Sequence, residues 1–97
     1  MGTLNYIEQE RPGNYDFRKN CRYVVTANLQ NKIGDDLERV FALALNLIAA
    51  RHPEGADYLQ VFEYKTEDGK TVKFWIILDE TPESEPNIVT GLLPKDY

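Results

Sequence analysis

The sequence predicts a single α+β domain of order β-α-β-β-β, an antiparallel sheet of three or four strands with one amphipathic helix on one face. Three observations carry that expectation. Apolar residues recur at helical spacing from Ile33 to Ile48, several runs are rich in β-branched and aromatic residues, and Asp68-Gly69 sits between two of those runs. With 97 residues, 42% hydrophobic and 28% charged, the chain has an ordinary globular composition and room for one core.

Residues 1–20 read as a partly packed N-terminal arm, and 21–97 as the domain itself. Pro12, Gly13 and Asn14 interrupt any periodicity in the arm, yet it carries Leu4, Tyr6, Ile7, Tyr15 and Phe17. A purely disordered tail seldom holds so many large apolar groups. Arg22 to Leu29 reads as the first strand, with Val25, Ala27 and Leu29 on one face. Gly34 breaks it, and Asp35 or Asp36 offers a carboxylate to the free N–H groups of a helix start.

The helix is expected over about Asp36 to Arg51. Ile33, Leu37, Val40, Phe41, Ala44, Leu47 and Ile48 form its apolar stripe, and Leu43 and Leu45 flank it. Acids gather at its start and Arg51 and His52 at its end, which complements the helix dipole, and Pro53 stops it. The far side, with Arg39, Ala42, Asn46, Ala49 and Ala50, is so thinly charged that the arm or a second subunit is expected to cover part of it.

Tyr58 to Lys65 and Thr71 to Asp79 are expected to form a hairpin, followed by an acidic loop at Glu80 to Pro86 and a last strand at Asn87 to Leu93. Asp-Gly is the usual centre of a two-residue type I′ turn. That turn places Val61 opposite Ile76, Leu59 opposite Leu78 and Glu63 opposite Phe74 beneath the helix. On the other face it pairs Phe62 with Trp75, Gln60 with Ile77 and Tyr64 with Lys73. The outward side then holds Tyr58, Phe62, Tyr64, Trp75 and Ile77, the candidate binding residues. One helix covers one face, so this aromatic surface needs another cover: the arm, a twin subunit, or a different partner or ligand.

Composition bears on function mainly by exclusion. A net charge of −5, from 16 acids and 11 bases, disfavours direct nucleic-acid binding and docking on anionic lipid. Cys21 is the only cysteine, so no internal disulfide can form, and its expected role is a small buried hydrophobe. His52 is the only histidine, which removes any multi-histidine metal site and points to helix capping. Ser84, the only serine, lies in the acidic loop with no sign of activation. The neighbouring acids Asp35/Asp36 and Asp79/Glu80 read as solvated charge. Gly69-Lys70-Thr71 resembles the end of a phosphate-binding loop but lacks its first glycine and leads into a strand. No catalytic residue, metal or cofactor is expected, and neither a secretory signal nor a membrane span is visible, so a cytoplasmic location is the expectation.

Four segments carry a family resemblance: Arg22-Tyr23-Val24, Asp57 through Glu63, Phe74-Trp75-Ile76-Ile77, and the tail Leu92 through Tyr97. Together they resemble an uncharacterised Firmicutes family, described first from staphylococcal genomes and catalogued as domain of unknown function 960. The match spans most of residues 22–97 and leaves the first twenty aside. The resemblance implies a small bacterial cytoplasmic protein, often carried on mobile elements or phages, with no established activity and no site residues to transfer. The expected function is a non-enzymatic protein–protein interaction module working through the aromatic sheet face, with homodimerisation a reasonable expectation. The alternative is a phage or mobile-element inhibitor of a host nucleic-acid-handling machine. It would act through acidic edges at Asp79, Glu80, Glu83 and Glu85, and at Glu67 and Asp68.

Overall fold

Strand propensity and helix periodicity resolve into five strands and two helices in a computed structural model that describes residues 2–97. The elements are β1 (Thr3–Ile7), β2 (Cys21–Val25), α1 (Ala27–Ile33), α2 (Leu37–Arg51), β3 (Leu59–Lys65), β4 (Thr71–Asp79) and β5 (Asn87–Leu92). Short 3-10 turns occupy Gly34–Asp36 and Pro94–Asp96. The α+β class is as expected, but the sheet has five strands in the order β1-β3-β4-β5-β2. It is mixed: β2 runs parallel to β5, and the other pairings are antiparallel.

The expected first strand is two elements. Thr26 ends β2 and caps α1, its hydroxyl accepting from the Leu29 N–H at 3.2 Å. Leu29 and Ile33, one helical turn apart, are both buried. A seven-residue helix beside a β-branched run is too short to show its period. The second helix matches the expected boundaries within a residue, and Val40, Phe41, Ala44 and Ile48 face the sheet. Asp36, expected to cap α2 with its carboxylate, makes no such bond. It holds Arg39 instead, 2.7 Å from Nε and 2.6 Å from Nη2, and accepts the Tyr64 hydroxyl. The Arg39 and Tyr64 hydrogen bonds lower the Asp36 carboxyl from 3.8 to about 2.

That clasp between α2 and β3 has a pH signature. A carboxyl whose folded pKa lies below its unfolded one adds stability above the unfolded value and loses it as the folded value is approached. Thermal melts of the parent should therefore lose midpoint between 3.8 and about 2 as Asp36 protonates. Asp36→Asn should start lower at neutral pH and fall less over the same interval. Parallel curves for the two proteins would refute the clasp.

The arm does not lie across the sheet. Its first part is β1, which joins the edge beside β3, pairing Tyr6 with Phe62 and Ile7 with Val61. Its second part passes beneath α2, where Phe17 is buried and Tyr15 exchanges backbone bonds of 2.9 Å with Ala56. Glu8, just past β1, meets Arg51 at 3.2 Å and ties this edge to the end of α2.

The β3–β4 turn differs from the expected type, and every side chain of β3 changes sides relative to β4 as a result. Lys65 pairs with Thr71, leaving a wider loop around Asp68. The Gly69 N–H donates to the Thr66 carbonyl at 3.0 Å, and Gly69 takes φ 88 in the left-handed region. This is a type I turn followed by a left-handed residue, the next commonest hairpin connection. The Thr66 hydroxyl stabilises it by reaching both Asp68 and the Lys70 backbone. One added loop residue reverses the pairing parity. Phe62 therefore faces Phe74, Tyr64 faces Val72 and Gln60 faces Ile76, all on the helix side.

The core forms there. Phe62 and Phe74 stack at 5.5 Å beneath the helices, and Ile76, Leu78 and Val89 complete the floor. α2 leans over β1 and β3, and α1 over β4 and β5. Both helices press on the sheet at Gly91, where a Cβ would stand 2.6 Å from Phe41 Cε1 and 3.1 Å from Leu29 Cδ2. Only glycine leaves Phe41 that space.

Candidate protein-docking face

Alternation along the strands sends the other half of the side chains to a face that neither helix covers. Cross-strand partners arrange them in rows. Ile7, Val61, Trp75 and Leu92 form one row, and Leu59, Ile77, Thr90 and Val24 form the next. Charged rows border them: Asn5, Glu63 and Lys73 on the hairpin side, and Asp79 and Arg22 flanking Ile88 on the other. The face is therefore an apolar band two residues deep, with charges of both signs along its margins.

Trp75 stands at the centre of the band, half-buried between Val61 and Leu92. The chain's last turn leans against it. The Tyr97 ring meets the indole edge-on at 5.7 Å between centroids, while Tyr97 itself remains 77% exposed. Asp96 anchors this turn by accepting from Thr26 Oγ1 at 2.9 Å and Asn28 Nδ2 at 2.6 Å. The Asn28 bond is the main reason its carboxyl lies below the usual range. Tyr97 covers so little and buries so little that an incoming surface can displace it at small cost.

Of the five candidate residues, two point where the sequence placed them. Trp75, half-buried, and Ile77, only 5% exposed among its neighbours, both lie on the open side. Phe62 and Tyr64 do not: the wider turn carries both beneath the helices, 0% and 3% exposed. Tyr58 precedes β3, continues the helix-side alternation and is exposed at the rim. The residues missed on the open face, Ile7, Leu59, Val61, Leu92 and Val24, are aliphatic. Their alternation is visible in the sequence, but the side they occupy depends on the turn.

Gln60, expected among the outward residues, is wholly buried. Its Oε1 accepts the Tyr6 hydroxyl, and its Nε2 donates to Gln9 Oε1 and to the Asp57 carbonyl, both at 2.9 Å. Burial, more than any neighbouring charge, lifts the Tyr6 hydroxyl to about 12. This network joins β1 to β3 inside the core.

The only thiol and the only imidazole among the described residues, Cys21 and His52, stand apart. Cys21 Sγ lies 3.3 Å from the Lys19 carbonyl and 3.5 Å from that of Asp16, and burial followed by the Asp16 charge raises the thiol above its ordinary value. His52 lines a cleft with Lys19, Leu45 and Ala49 that does not include Cys21. The acidic groups lie at opposite ends of the hairpin, Asp79, Glu80, Glu83 and Glu85 around the β4–β5 turn and Glu67 and Asp68 in the β3–β4 loop. Among the described residues, no helix is long and apolar enough to cross a membrane. No family model, curated protein or solved structure matches the chain.

Proposed function

We propose that this chain is a non-enzymatic interaction module that docks a protein partner on the open sheet face around Trp75. The observation that supports it most is the pair of contiguous apolar rows on the side opposite the helices. A sheet with one bare face normally alternates apolar-in and polar-out, but here two adjacent outward rows hold seven apolar side chains beside Thr90. Tryptophan at the centre of such a band is the residue type most often responsible for interface energy. The margins suit a partner whose apolar patch is bordered by charges of both signs. Membership of the family that the strands resemble belongs to the same proposal.

Trp75→Ala decides the matter because the side chain is half-buried and has no hydrogen-bonding role in the core. The variant should keep its cooperative melt, with a cost of about 1–2 kcal/mol. A photo-crosslinking residue placed at Thr90, in the band, should trap a discrete partner in the native cell, and Trp75→Ala should abolish that product. The same probe at Lys32, on the helix side, should trap nothing comparable. Equal products from both positions, or a product indifferent to Trp75→Ala, would remove the open face from consideration.

A further inference from the structure

We propose that β2 is the pairing edge for a second copy of this chain, joined antiparallel about a two-fold axis at Tyr23. The backbone supplies the first reason. The Asn20 carbonyl accepts from Asn87 and the Thr26 N–H donates to Gly91, each at 3.0 Å, so the even-numbered groups between them turn toward β5. By alternation Cys21, Tyr23 and Val25 turn their N–H and C=O groups away from the sheet. Two copies of this edge placed antiparallel exchange up to about six hydrogen bonds.

The side chains supply the second reason. Tyr23, Val24 and Val25 are consecutive and 41%, 41% and 37% exposed. Natural sheets guard free edges with lysine, proline or a bulge, but β2 carries only Arg22, which points to the open face. Beside this edge runs a groove of about 860 Å³ lined on the helix side by Leu37, Glu38, Phe41, Ala42 and Leu45. It combines the rim of the apolar stripe, at Leu37 and Phe41, with Ala42 from the thinly charged side of α2.

Charge identifies the occupant. At the end of the groove near Val25 the charged lining is acidic, Asp35 and Glu38. Leu45 also lines a second cleft, where Arg18 and Lys19 stand with Asp16 and Glu54, and Asp16 is engaged by the Arg18 backbone N–H at 2.9 Å. A two-fold axis at Tyr23 reverses the second copy, bringing its Arg18 and Lys19 to Asp35 and Glu38 of the first, and the reverse. The surface is thus complementary to itself, as an isologous contact requires. The resulting ten-stranded sheet leaves the Trp75 face open on both copies, so this inference does not depend on the function proposed above.

Light scattering on the purified chain should show a species of twice the 11.2 kDa chain mass at micromolar to millimolar concentration. Val25→Pro removes an outward N–H at an edge position where proline is tolerated, and should give a folded monomer by circular dichroism. The pair Arg18→Glu with Lys19→Glu should weaken the dimer by at least about tenfold. Adding Asp35→Lys and Glu38→Lys to that pair should restore it. A monomer throughout the range would overturn the inference. So would a dimer indifferent to Val25→Pro, or a four-fold reversal no tighter than the two-fold one.

Discussion

Phe62→Ala should destabilise the domain by about 3–5 kcal/mol, enough to leave it largely unfolded at 37 °C, as measured by urea titration. The ring is fully buried, stacks on Phe74 at 5.5 Å and lies 5.1 Å from the Tyr6 ring. Its removal opens a cavity at the point where β1, β3 and β4 meet under α2, where neighbouring strands cannot close in. The informative comparison is with Trp75→Ala, a larger truncation expected to cost less. That inversion follows only if the β3–β4 pairing places phenylalanine inside and tryptophan outside. A Phe62→Ala as mild as Trp75→Ala would mean that both rings lie outside, as the two-residue turn requires.

Gln60→Leu should cost about 2–5 kcal/mol although it replaces a polar residue in the core with an apolar one of similar volume. The reason lies in the partners left behind. The Tyr6 hydroxyl loses its acceptor and the Asp57 carbonyl a donor, while Gln9 Oε1 keeps only the Asp57 N–H at 3.0 Å. A buried polar group without a partner costs about 1–3 kcal/mol. Adding Tyr6→Phe should recover about 1 kcal/mol, because it deletes one of the stranded groups, and a double-mutant cycle reads that recovery directly. Strict additivity of the two substitutions would show that the hydroxyl and the amide do not interact.

What could be read from the amino acids divides along a physical line. The second helix was legible because its apolar positions repeat through four turns, and Pro53 closes it. The three later strands were legible from composition. Their facing was not, because Asp-Gly serves a two-residue loop and a three-residue loop alike, and Thr66 decides between them through its hydroxyl. β1 shows alternation at Leu4 and Tyr6, but nothing local names β3 as its neighbour. β2 was legible as a strand and illegible as a parallel edge, since its partner lies at the other end of the chain. The outward position of Trp75 was anticipated from a turn that does not form. It is correct because the parity change moved β3 and left the tryptophan on its own side.

Both outer strands come from the early part of the chain, and both take late partners: Cys21 waits for Asn87, and Ile7 for Val61. Both flanking pairings are far more distant in sequence than those of the central meander, and such non-local contacts slow folding. On the ribosome, Tyr23 to Val25 emerge long before β5 can shield them. During that interval they are an unpaired apolar edge of the kind that makes folding intermediates prone to aggregate.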